Sequence, residues 1–278
     1  MPARTARPRA TTAPSSPSTQ RGTVSLSRAL SKLGLCSRSQ AETAVRDGRV
    51  RVNGRRVIDS SRRVTPESDA ITLDGVVAEA AIRTYVMLNK PRGLVTTRSD
   101  PRGRDTVYRC LTDPALPFLG PVGRLDQASE GLLLFTNDTQ WANAISAPSS
   151  HVRKTYHVQI NRVPDDTLLV ALRRGTDDDD GTLSGATRVE TLRAGTRHGW
   201  LLIELDEGKN RQIRRMLEAL DVAVLRLVRV GIGPLALGTL PKGAWRQLTS
   251  GEVAALDVRR VAAHTDRGAR RASRTGSE

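Results

Sequence analysis

Few side chains in this 278-residue sequence have the type and spacing to do covalent or acid–base chemistry. The four histidines, His151, His157, His198 and His264, have no metal-like partner two, three or four residues away. Neither a zinc centre nor a histidine base is therefore expected. The two cysteines, Cys36 and Cys110, are too few for a disulfide framework or a four-ligand zinc site. The acidic run Asp177–Asp180 lacks the alternating oxygen ligands and closing glutamate of a calcium loop, and it reads as a solvated loop. Residues 120–131 (GPVGRLDQASEG) differ from all of these: a polar, glycine-bounded loop runs straight into an apolar strand, Leu132–Phe135. Its carboxylate, Asp126, would sit at the rim of a core, partly desolvated, where an ionised group calls for a cationic partner. By position alone a loop aspartate is more commonly a turn or cap residue, so both roles stand at this point.

The elements that must hold such a loop are legible in outline. Residues 84–258 are dominated by short strand-like runs: Val86–Leu88, 131–136, Tyr156–Ile160, 200–205 and 222–230. Helical patterns are few, the clearest over 139–147 and 210–220. This alternation predicts an α+β domain with a mainly antiparallel mixed sheet, not a doubly wound one. No GxGxxG follows a strand and no GxxxxGK[ST] occurs, so no nucleotide cofactor is expected.

Ahead of this block lies a segment of different texture. Leu26, Ala29, Leu30 and Leu33 recur at helical spacing and Gly34 follows as a stop. Ser37 or Ser39 can cap a second helix through Ala41, Ala44 and Val45 to Gly48. Val50 and Val52 then alternate with arginines up to Asn53-Gly54, a strong hairpin signal, and Val57-Ile58 returns. Residues 71–73 before Asp74-Gly75 read as a further short strand. The predicted organisation is a basic, disordered arm over 1–22, a small helix–turn–helix and hairpin domain over 23–82, a larger domain over 84–258, and a basic disordered tail over 259–278. The acid-free arm also fits an organellar import signal, although a bacterial cytoplasmic setting is the expectation. No apolar run approaches the length needed to span a bilayer.

Charge follows the same division. The net formal charge is +15, yet residues 66–258 carry basic and acidic side chains in equal number. The excess sits in the two tails and in residues 23–65, where ten basic residues stand against three acidic ones. A polyanion would be gripped by the front of the chain, and nucleic acid is the expected partner.

The front segment, SLSRALSKLGLCSRSQAETAVRDGRVRVNGRRV, resembles the small RNA-binding domain first named from a small-subunit ribosomal protein, the S4 domain. The resemblance implies that Arg38, Arg46, Arg49, Arg51, Arg55 and Arg56 meet RNA phosphates, a positioning role without sequence information. The string from Gly123 to Asp138 (GRLDQASEGLLLFTND) resembles the signature of pseudouridine synthases, closest to the branch that modifies ribosomal RNA. Met87–Thr97 (MLNKPRGLVTT), Arg153–Val158 (RKTYHV), Glu207–Met216 (EGKNRQIRRM) and Pro241–Thr249 (PKGAWRQLT) are similar, in order, to the family's other motifs. Residue by residue, the resemblance implies that Asp126 is the nucleophile and that Arg124 helps displace the target base. It likewise implies that Tyr156 packs on that base and that Arg214 pairs with the aspartate. Ser129 stands where relatives often have threonine, and the hydroxyl is kept.

Helix phase bears on the arginine. Ile213, Met216, Leu217 and Leu220 form one apolar stripe, with Arg214 on its flank and Arg211 and Arg215 pointing away. A surface pair between Arg214 and Glu218 is the competing reading. Lys90 and Lys209, on glycine-containing loops, are further candidate phosphate contacts. The implied reaction isomerises a uridine of ribosomal RNA, weakly favouring the large subunit, after the base is flipped out. It needs no cofactor, metal or small-molecule cosubstrate. The expected substrate is ribosomal RNA or a pre-ribosomal particle, and the expected state is a monomer. Two other readings are a non-catalytic RNA-binding assembly factor, which would not need the Asp–Tyr–Arg set, and an RNA methyltransferase, which would need the missing glycine-rich cofactor loop.

Overall fold

The structure, a computed structural model, describes residues 23–78, 82–177 and 183–257. The two basic tails, Asp178–Asp180 and His264 lie outside the described residues.

The first unit comprises β1 (Val24–Ser25), α1 (Leu26–Lys32), α2 (Arg38–Arg46), β2 (Val50–Val52), β3 (Arg55–Val57), β4 (Arg63–Val64), β5 (Ile71–Leu73) and β6 (Val76–Val77). Its local signals act as sequence chemistry predicts. Ser37, not Ser39, caps α2, in a full capping box with Gln40. Asn53-Gly54 and Asp74-Gly75 both take positive φ, the geometry of tight hairpin turns, and so join β2 to β3 and β5 to β6. The strands order as β3-β2-β5-β6. Leu26, Ala29 and Leu30 of α1 and Ala41 and Val45 of α2 close onto Val50, Val52 and Ile71, all nearly or fully buried. This small core leaves Arg38, Arg46, Arg49, Arg51, Arg55 and Arg56 exposed.

The second unit runs through β7 (Tyr85–Lys90), β8 (Gly120–Val122), β9 (Glu130–Thr136), α3 (Thr139–Ser146), β10 (Lys154–Ile160), α4 (Asp166–Arg174), β11 (Thr176–Asp177) and β12 (Leu183–Ser184). It continues with β13 (Arg188–Ala194), β14 (Gly199–Leu205), α5 (Gln212–Glu218), β15 (Val224–Ile232), β16 (Leu235–Ala236), β17 (Trp245–Gln247) and α6 (Ser250–Leu256). One sheet of nine strands carries it, with the path β13-β14-β10-β15-β9-β7-β17 and β16 and β8 attached to β15 and β9. Every pairing in this sheet is antiparallel except β15 with β9. The mainly antiparallel α+β architecture is the one the sequence predicts.

Strand β9 is buried along its whole length, because both of its faces are covered. Leu133 and Phe135 join the main core with α4 and α5, while the alternate residues Leu132 and Leu134 pack with Trp141, Ile145 and Leu256 of α3 and α6. The parallel pairing has a strict local requirement. A Cβ on Gly131 (φ +101°) would lie 2.2 Å from the Arg229 carbonyl oxygen, so only glycine lets β15 approach. Among the described residues no helix is long and apolar enough to cross a membrane.

Candidate active site

The loop bearing Asp126 leaves β8 at Gly123, whose φ of +72° turns the chain, and enters β9 at Glu130. It is held from one side by the loop after β7. Thr96 Oγ1 donates to the Leu125 carbonyl at 2.7 Å and accepts from its N–H at 3.3 Å. Gly93 N–H donates to the Gln127 carbonyl at 2.7 Å, and Gln127 Nε2 returns a bond to the Gly93 carbonyl at 3.1 Å. The Ser129 N–H closes the turn onto the Asp126 carbonyl at 3.0 Å. The backbone around Asp126 is thus fixed from both sides, while its side chain stays half-buried at the edge of a cleft.

That cleft, about 510 Å³, is lined by Asp126, Arg124, Tyr156, Arg214 and Lys209 among others. Three separate elements, the loop between β8 and β9, β10 and α5, therefore bring the implied catalytic set together. Tyr156, on β10, lines the cleft and is 9% exposed. Arg124 is exposed and makes no hydrogen bond or ion pair among the described residues. Arg214 is half-buried on α5, and its Nη2 donates to the Ala128 carbonyl at 3.4 Å. It makes no direct ion pair with Asp126, nor with Glu218, so the free protein holds guanidinium and carboxylate near each other without contact. Burial lowers the Arg214 pKa below the usual arginine range and Arg211 adds repulsion, while Asp126 pulls the other way.

Helix α5 starts at Gln212, two residues later than the periodicity suggested, and this corrects the placement of its arginines. Arg211 stands before the helix in a left-handed conformation (φ +51°) and lines the cleft instead of pointing away. Arg215 is half-buried, not outward. Ile213, Met216 and Leu217 are buried as expected.

Lys90 overturns the expectation of a phosphate contact. It is fully buried at the end of β7, and its Nζ donates to the Ser129 carbonyl at 2.7 Å and the Pro91 carbonyl at 3.1 Å. Burial lowers its pKa to about 8, against the opposing pull of Asp126 and Glu130. An ammonium enclosed by carbonyls cannot reach an RNA backbone; it braces the loop that carries Asp126. The glycine beside it suggested an open loop, but Lys90 itself belongs to the strand.

The front-domain arginines divide. Arg49 is committed to Asp74, with Nε to Oδ1 at 2.8 Å and Nη2 to the second oxygen. Arg51 Nη1 caps the Gly54 carbonyl at 3.2 Å and Arg56 Nη2 meets the Asp47 carbonyl at 3.4 Å. Arg38, Arg46 and Arg55 have no partner among the described residues. Lys209 is half-buried in the cleft, 3.9 Å from Glu207. Among the described residues no group of histidines, cysteines and carboxylates could hold a metal. Sequence reasoning missed Thr96, and it missed Arg229, which is 6% exposed and also lines the cleft. A buried arginine in an otherwise apolar strand was the available signal.

Comparison with known proteins follows the same two units. Residues 84–219 match the family model for RNA pseudouridylate synthase, and residues 25–71 match the S4 domain. An RNA pseudouridine synthase of Aquifex aeolicus is 36% identical over 235 residues, 84% of this chain and 93% of that protein. The ribosomal large subunit pseudouridine synthase B of Bacillus subtilis is 34% identical, over 82% of this chain and 93% of its own length. A crystal structure of a pseudouridylate synthase superposes with a TM-score of 0.57 at 30% identity, covering 84% of this chain and 99% of that one. With the Asp126 loop, the β10 tyrosine and the α5 arginine gathered at one cleft behind an S4 domain, the chain belongs to the RNA pseudouridine synthases.

Proposed function

We propose that the enzyme isomerises a uridine of large-subunit ribosomal RNA, with Asp126 as nucleophile, in the bacterial cytoplasm and as a monomer. The observation that carries this reading is the convergence of Asp126, Tyr156, Arg214 and Arg124 on one cleft. The relatives named as large-subunit synthases support the choice of subunit.

The isomerisation breaks the bond from uracil N1 to C1′, turns the uracil in place and forms a bond from C5 to C1′. A proton leaves C5 and one arrives at N1, so no electron carrier or cosubstrate enters the balance. The Asp126 carboxylate attacks C1′, or assists uracil departure and captures the sugar; both routes use the same placement. Arg214, already within electrostatic reach, keeps the carboxylate ionised and orients it once RNA excludes water from the cleft. Tyr156 offers its ring to the extruded uracil, and its hydroxyl serves when the proton leaves C5. Flipping costs a few kcal/mol of lost stacking, which Arg124, without a partner among the described residues, offsets by occupying the vacated stack. Arg38, Arg46 and Arg55 supply phosphate contacts in the front domain.

The test is pseudouridine mapping of total ribosomal RNA from a deletion strain, complemented with wild type or Asp126→Asn. One large-subunit pseudouridine is expected to vanish on deletion and return only with wild type. Survival of every large-subunit site would end the substrate assignment. Recovery of the lost site with Asp126→Asn would end the assignment of the nucleophile.

A further inference from the structure

Four cations line the cleft that the mechanism above does not use, Lys154, Lys209, Arg211 and Arg229, and two of them share a sheet face with Tyr156. Arg229 on β15 sits directly opposite Tyr156 in the register with β10, and Lys154 lies two residues before Tyr156 on the same face of β10. Arg229 is 6% exposed, and its only hydrogen bond among the described residues is Nε to the Leu132 carbonyl at 2.7 Å. Its Nη2 is shielded from solvent and has no acceptor. An enclosed guanidinium with idle donors is costly unless something arrives to accept from them.

No carboxylate among the described residues does so. Glu130, on the neighbouring strand, is the obvious candidate, yet Arg226 binds it through two bonds of 2.8 and 3.0 Å and Lys242 takes its second oxygen. Asp206 attracts Lys154 at a distance, but its nearest ionic partner is His151 at 3.8 Å. Lys154 itself has no hydrogen-bond partner among the described residues. Burial lowers its pKa, and the repulsion from Arg229 lowers it further. The fold therefore places two like charges on one cleft wall, and neither has an ion pair among the described residues. A neutral uracil carbonyl would not relieve that repulsion; a monoanionic phosphate would.

We propose that Lys154 and Arg229 form a phosphate site for the target nucleotide, gripping one of the two phosphates that flank the uridine as it turns into the cleft. Tyr156, between them on the same sheet face, then receives the base while the two cations hold the backbone. The pair acts by positioning and also shields Asp126 from the negative charge that the flipped nucleotide carries with it. This rests on the reading of the cleft as the active site.

The test uses the full-length enzyme and a synthetic RNA stem carrying the mapped uridine, with a neutral methylphosphonate in place of the phosphate on its 5′ or its 3′ side. For wild type, neutralising one of the two positions should raise KM roughly tenfold to a hundredfold. Lys154→Met should show that loss already with native RNA and lose no more with the methylphosphonate, and Lys154→Arg should recover most of it. Lys154 is half-buried without hydrogen bonds, so its removal leaves the fold intact, whereas Arg229→Gln needs a thermal melt beside it because Arg229 also caps Leu132. If wild type and Lys154→Met respond alike to both methylphosphonates, or if Lys154→Met matches wild type on native RNA, the phosphate site is overturned. Asp126→Asn is measured in parallel. Binding without turnover by that variant upholds the active-site reading, and turnover by it refutes that reading independently of the Lys154 result.

Discussion

A lysine read from sequence as an RNA contact proves to be an internal brace, and the difference has a measurable sign. The folded-state pKa of Lys90 is about 8, below the 10.5 of an exposed lysine. Its charged form is penalised in the native state, so below pH 8 the full penalty, up to about 3 kcal/mol, is present. Between about pH 8 and 10.5 the unfolded chain keeps a proton that the native state has released, and the penalty fades. Urea unfolding should therefore show wild type gaining up to about 3 kcal/mol on Lys90→Met across that window. A pH-independent gap would mean that the ammonium is not the buried species. Near neutrality Lys90→Met should also lower kcat with little change in RNA affinity, since the Ser129 and Pro91 carbonyls lose their donor and the Asp126 loop loosens.

At the scale of elements, the contact between β9 and β15 holds the site together. Glu130 is buried on β9, its side chain 4% exposed, and its pKa is lowered to about 2 by Arg226 first and Lys242 second. That stabilisation is fully present above about pH 4.5 and is lost as pH falls through 2. Glu130→Gln should cost up to about 3 kcal/mol at pH 7 and progressively less in acid, measured by denaturant titration at several pH values. Gly131→Ala acts on the same pairing through sterics, because the new Cβ would meet the Arg229 carbonyl oxygen at 2.2 Å. A loss of at least about 3 kcal/mol, or failure to fold, is expected. A variant as stable as wild type would show that β15 can shift, and would also weaken the register that sets Arg229 beside Tyr156.

For the whole molecule, charge is partitioned between a basic front and a neutral body, and the proposed function puts the electrostatic grip on RNA mainly in the first and the chemistry in the second. The front arginines are not equivalent. Arg38, Arg46 and Arg55 are exposed without partners among the described residues, while Arg49 is held by Asp74. Replacing the first three together by glutamine should flatten the salt dependence of RNA binding by about two to three in log–log slope. Arg49→Gln should change that slope little. Filter binding of ribosomal RNA fragments across a salt series reads both, and equal effects would mean that the Arg49–Asp74 pair opens on RNA.

Much of this was legible in the sequence because the relevant forces are local. The α1 stripe, the Ser37 cap and the two positive-φ hairpin turns depend on residues within a few positions of one another. The candidacy of Asp126 was legible for another reason: a run of residues around it resembles a family signature, where its position alone favoured a turn. What tertiary structure decided is partnership at long range. Lys90 became a brace because β7 ends beneath the Asp126 loop, and Arg211 entered the cleft because α5 begins after it. Glu130 fell to Arg226 and Lys242, which lie about a hundred residues further along the chain, and this left Arg229 without an ion pair among the described residues. Burial of a charge, and the choice of its partner, depend on which distant strands meet, and no local pattern encodes that.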